Sequence, residues 1–160
     1  MRHRRWLSLL LTAVLAVCLL SGCGLGAQSG LIHLNKDVIQ DILQKDGLNI
    51  TVTEQDALNQ AVEQAAQNLE GAQRPDPEPA AVRSQIAREI GTPPLICSVY
   101  DSSYWPNSPW GNPNRHEQTA ASFAQQLYKE GHGDAYAAAV ASFTTRDGEE
   151  MLLFVMTKGS

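Results

Sequence analysis

The sequence predicts an α+β fold, a three-layer α-β-α sandwich that ends on a β-hairpin. Three observations carry that expectation: amphipathic stripes at helical spacing in the first two thirds of the chain, a long apolar C-terminal ribbon, and an Asp-Gly turn inside the ribbon. "AYAAAVASFTT" and "MLLFVMT" flank the turn residues "RDGEE", and both are apolar at most positions. A strand that alternates would leave one face to water; these two read as covered on both faces, hence a sheet between helices.

Taken in order, "LNKDVIQDILQKDG" sets Leu34, Val38 and Ile42 four residues apart with Ile39 and Leu43 beside them, a helix stopped at Gly47. "LNITVT" is a short extended link. Thr53 followed by Asp56 has the look of an N-cap with an acid in the first turn, opening a helix that runs to Gly71 and buries Leu58, Val62, Ala65, Ala66 and Leu69. "RPDPEP" breaks the chain and its prolines start a third helix, "AAVRSQIAREIG", ending at Gly91. "PPLICSVY" has the β-branched and aromatic content of a strand. "DSSYWPNSPWGNPNR" is a long loop, and "HEQTAASFAQQLYKEG" returns to helix with Ala120, Phe123, Ala124 and Leu127 on one side.

The first thirty residues stand apart from this pattern. Arg2, Arg4 and Arg5 precede an apolar run from Trp6 to Leu20, a charged region followed by a hydrophobic one, as in an export signal. The run is shorter than the roughly 20 residues a permanent membrane helix needs. Leu20-Ser21-Gly22-Cys23 resembles the lipobox of bacterial lipoproteins. That resemblance implies cleavage of residues 1–22 and acylation of Cys23, so the expected partner is the outer face of a cell membrane, reached through the acyl anchor. Two or more acyl chains, at about 0.8 kcal/mol per buried methylene, make a stable tether. Residues 23–30, including "GLGAQSG", read as the spacer between lipid and a domain of residues 31–160.

Loss of the three signal arginines moves the formal charge from -5 to -8. An acidic, exported chain is a poor nucleic-acid binder, and no nucleic-acid partner is expected. Cys18 leaves with the signal and Cys23 is acylated, so Cys97 alone remains, without an internal disulfide; in "LICSVY" it reads as a buried small hydrophobe.

The order of elements is that of the CAP superfamily, the cysteine-rich secretory, antigen 5 and pathogenesis-related-1 proteins, also called SCP domains. "VIQDILQKDGLNITVTEQDALNQAVEQAAQNLE" resembles the family's opening, and "QRPD" at 73–76 is similar to a segment that follows it in bacterial members. "FAQQLYKEGHGDAYAAAVASFTTRDGEEMLLFVMT" resembles their ending. The resemblance implies a cleft, and in some members the cleft holds a divalent metal on two histidines and two acids. Only His132 falls on a matching motif; Ala72 and Gln73 stand where the first histidine is expected, and no Gly-Glu-Asn segment lies near "LICSVYDSS". One ligand does not make a zinc site, so neither a metal nor another cofactor is expected.

His132, between Gly131 and Gly133, is then either a cleft residue that hydrogen-bonds a ligand or a solvated turn residue. His116 opens the fourth helix beside Glu117 and reads as a cap or surface group; His33 reads as exposed. Tyr104, Trp105 and Trp110, among Asn107, Asn112 and Asn114, combine broad apolar faces with amide groups, which suits lipid, glycan or peptide contact; the alternative is that the rings close the core over the sheet edge. Ser102, Ser103 and Ser108 near Asp101 lack a histidine placed by spacing, and no catalytic residue is assigned. The sequence thus predicts a binding or structural module of the cell envelope with a degenerate cleft near His132 and the loop 101–115; the alternatives are a metal-dependent hydrolytic enzyme using His132 with Glu117 or Glu130, and an unrelated α+β lipoprotein with no cleft.

Overall fold

The computed structural model describes residues 30–103 and 113–159. Among the described residues, five strands and four helices follow in the order β1 (Gly30–Ile32), α1 (Lys36–Lys45), β2 (Thr51–Thr53), α2 (Asp56–Leu69), α3 (Ala80–Ile90), β3 (Ile96–Asp101), α4 (Arg115–Lys129), β4 (Ala135–Thr144) and β5 (Glu150–Lys158). The fold is mixed helix and sheet, as expected.

The two ribbon strands lie at the centre of one sheet. β4 pairs antiparallel with β5 from Tyr136↔Lys158 to Thr144↔Glu150, and β5 pairs antiparallel with β3. On the other side of β4, β1 pairs antiparallel with Val140–Ser142 while β2 runs parallel along Ala135–Ala137. These two short strands are additions to the sequence reading, which has Gly30 in a spacer and Thr53 as a helix cap. Thr53 instead ends β2, where its hydroxyl donates to the Tyr136 carbonyl at 3.4 Å, and Gln55 takes the N-cap position of α2. The pull of a ladder partner outweighs the local capping signal. Asn35 does cap α1, its Oδ1 accepting from the N–H groups of Asp37 and Val38. Leu34 just before it and Ile39 in the first turn are buried in one cluster, a hydrophobic staple that fixes the entry of the chain.

Successive side chains of a strand point to opposite faces, so the ribbon supplies two cores. Tyr136, Ala138, Val140, Leu152, Phe154 and Met156 meet Ile39 and Leu43 of α1 and Ala120, Ala124 and Leu127 of α4. Ala137, Ala139, Ala141, Phe143, Leu153 and Val155 meet Leu58, Val62 and Ala66 of α2 and Val82 and Ile86 of α3. Helices therefore cover both faces, and the central strands are buried along nearly their whole length.

The hairpin loop is Arg146-Asp147-Gly148, not a two-residue turn. The Gly148 N–H donates to the Thr145 carbonyl at 3.0 Å and Gly148 sits at φ 82°, a type I turn followed by a left-handed residue. Its tip is tied to the end of α2 by Arg146 N–H to Ala72 O and Gly71 N–H to Thr144 O.

β3 is a sheet edge, which would leave main-chain groups open to another strand. The proline segment lies along it: the Val99 N–H donates to the Pro77 carbonyl at 2.7 Å, and Arg83 reaches the Pro94 carbonyl at 3.1 Å. The "RPDPEP" break thus does more than start a helix. It covers the edge, and the space it leaves under α4 is where the next section begins.

Candidate functional site

Where the proline segment, β3 and the first half of α4 come together, they enclose a cavity of about 320 Å³. Pro77, Val99 and Phe123 give it apolar walls, and Tyr100, Thr119 and Glu78 give it polar groups. Helical spacing puts Thr119 and Phe123 one turn apart on the same side of α4. The Phe123 ring is held from behind by Phe154, with centroids 5.0 Å apart at 52°. A second cavity of about 270 Å³ shares Glu78, Ser98 and Phe123 with the first and continues along β3 past Arg83 toward Glu130.

Polar groups around the first turn of α4 are not all paired. The Tyr100 hydroxyl is buried against the Thr119 hydroxyl, and burial pushes its pKa up to about 12 against the opposing hydrogen bond to Thr119. The Thr119 hydroxyl beside it gives its own proton to the Arg115 carbonyl at 2.8 Å. His116 Nε2 accepts from Arg115 Nε at 3.3 Å, which leaves the ring proton on Nδ1; that atom is buried and has no partner. Loss of solvent, then the Arg115 charge, hold the His116 pKa below its ordinary value, against the opposing pull of Glu117 and Glu150. Glu117 is 8% exposed; its Oε1 accepts the Asn35 N–H at 3.0 Å, and its Oε2 has no partner. Buried polar atoms without partners are few in folded proteins, and here two of them, His116 Nδ1 and Glu117 Oε2, lie on the first turn of one helix.

The other end of α4 is complete. The Gly131 N–H donates to Tyr128 O and the His132 N–H to Leu127 O, both at 3.0 Å, with Gly131 at φ 83°. This is a Schellman motif, and His132 is the residue that closes it. Its side chain is 44% exposed, with Nε2 3.7 Å from a carboxylate oxygen of the equally open Glu130. His132 lines neither cavity described above.

The sequence-predicted site residues are therefore not gathered. His116 and His132 lie sixteen positions apart at opposite ends of α4, about 24 Å along the axis at 1.5 Å per residue. The hydrolytic reading needs His132 with Glu117 or Glu130, and Glu117 is buried at the far end, against the start of α1. Among the described residues no group of three or more His, Cys, Asp or Glu side chains could hold a metal ion. His33 is exposed as expected, 3.5 Å from Glu54. Cys97 is buried, and burial lifts its pKa to about 11, so its sulfur stays a thiol at neutral pH. Cys23, Tyr104, Trp105, Trp110 and Ser108 lie outside the described residues. No described helix is long and apolar enough to cross a membrane.

Sequence reasoning missed Tyr100 and Thr119, and named Glu117 only as an acid that could act with His132, not as a buried group. Glu117 was legible: it sits one turn before Ala121 and two before Ala124, on the buried stripe. No family model matches the chain, and searches of curated proteins and of solved structures return no match.

Proposed function

We propose that this chain is an exported, lipid-anchored binding module of the cell envelope, a CAP-like three-layer sandwich whose site is the cavity between β3 and α4. The observation that carries the binding role is that cavity, walled by Pro77, Val99 and Phe123, with the Glu78 carboxylate and the side chains of Ser98, Thr119 and Ser122 among its lining. A mostly apolar cleft with a few convergent polar groups is the usual form of a small-ligand site. The CAP-like architecture is supported by the element order and by helix pairs on both faces of the sheet. The anchor is supported by Arg2, Arg4 and Arg5, the apolar run to Leu20, and Leu20-Ser21-Gly22-Cys23.

The anchor is tested by producing the full chain in bacteria fed an alkyne-tagged fatty acid. The wild type takes up the tag and sediments with membranes; Cys23→Ser does neither. A Cys23→Ser chain that still carries the tag would contradict the assignment.

A further inference from the structure

We infer that the cavity between β3 and α4 takes a compact apolar ligand carrying one positive charge, an aromatic or branched-aliphatic amine. The inference rests on the binding role proposed above and names the class of ligand for that site. Three features of the cavity point the same way.

Its size comes first: about 320 Å³ is at the low end for small-molecule sites, room for a single ring or a branched alkyl group. Its chemistry is the second. The side-chain polar groups of the lining are four hydroxyls, from Ser98, Tyr100, Thr119 and Ser122, and the Glu78 carboxylate. The Thr119 proton is given to the Arg115 carbonyl and its oxygen meets the Tyr100 hydroxyl, so these two groups are engaged with the protein. The Ser98 and Ser122 hydroxyls can donate or accept, whereas the Glu78 carboxylate only accepts; among the described lining residues there is no lysine, arginine or histidine, and an ammonium group brings three N–H donors for the carboxylate and the serine oxygens.

Charge is the third. Among the described residues Glu78 is the one ionised side chain of the lining, and it is shared with the adjoining trench, where Glu130 adds a second carboxylate. Arg83 in that trench offsets one of them, and its guanidinium is turned to the Pro94 carbonyl at 3.1 Å. The balance over both cavities is negative, on a chain whose net charge is -5. An anion could take the serine hydroxyl protons but would be repelled by the Glu78 carboxylate; a neutral molecule would fill the walls and leave Glu78 unused.

The test uses the full chain in a nonionic detergent at low salt, with methyl-labelled valine and threonine. Benzylamine, benzyl alcohol and phenylacetate share a ring and differ in charge. Benzylamine is expected to shift the Val99 and Thr119 methyl signals and to bind tightest of the three. Glu78→Gln should weaken benzylamine about two- to fivefold, the range for a solvent-exposed charge pair, and leave benzyl alcohol unchanged. Ser122→Trp, at an exposed helical position on the rim, should abolish binding of all three while the fold stays intact. Benzyl alcohol binding as tightly as the amine, or an amine indifferent to Glu78→Gln, overturns the charge assignment while the cavity remains a binding site. Equal binding of phenylacetate overturns it too. If none of the three compounds moves Val99 or Thr119, the binding role and the ligand class fall together.

Discussion

The two ends of α4 carry the same residue type in opposite circumstances. At the C-terminal end His132 closes a Schellman turn, its backbone bonded and its ring in water beside Glu130. At the N-terminal end His116 is half-buried, bonded through one nitrogen to Arg115 and unpaired at the other. A glycine-flanked histidine attracts attention in the sequence, yet the end of the helix that has unsatisfied chemistry is the one whose histidine reads as a cap. The contrast teaches that a side chain's potential is set by which of its atoms the fold leaves unpaired, not by its own identity or by the conspicuousness of its neighbours.

Substitutions along the helix can break or sharpen this contrast, and the largest effect is expected at Glu117. Glu117→Ala strips the acceptor from the Asn35 N–H and opens a gap against α1, at a cost of about 2 kcal/mol in urea unfolding. Glu117→Gln keeps an oxygen for Asn35 and removes a buried charge, so its cost is expected within about 0.5 kcal/mol. Equal losses for the two would mean that the carboxylate charge, not the acceptor, holds the junction. At the other end, Gly131→Ala forces a Cβ into a left-handed residue at φ 83° and is expected to cost about 1 kcal/mol. An alanine that unfolds at the wild-type midpoint would show that the Schellman turn opens without strain.

The histidines themselves give smaller effects that differ in kind. Because the folded protein disfavours His116 protonation, the unfolded chain takes the proton first as pH falls. Stability from this group is full above the ordinary value of 6.5 and declines as pH drops below it toward the lower folded value. His116→Gln should flatten that part of the stability profile, and an unchanged slope would place the titration elsewhere. His132→Ala should leave the midpoint within about 0.5 kcal/mol of wild type at any pH in the same window. A larger loss would mean that His132 has a partner beyond Glu130.

Much of the fold was legible in the sequence. All four helices and the three long strands follow from 3.6-residue stripes and apolar runs, and the double burial of the ribbon follows from its lack of alternation. The two three-residue strands were not legible, because a period of two needs more residues than Gly30–Ile32 or Thr51–Thr53 supply; their place is set by open ladder positions along β4. Thr53 shows the cost of reading locally, since its capping signal is genuine and its ladder pairing with Ala137, far along the chain, overrides it. The cavity was legible least. Its walls come from Pro77–Glu78, from Ser98–Tyr100 and from Thr119–Phe123, three segments joined only by the fold. None of them is a motif alone.

The account turns on ligand contact near the N-terminal half of α4 and not around His132. A backbone amide shift map of the full chain titrated with benzylamine tests this most directly. Shifts gathered at Ser98–Tyr100 and Thr119–Phe123, with Tyr128–Gly133 unmoved, are the predicted result; shifts centred on His132 with β3 silent would contradict it.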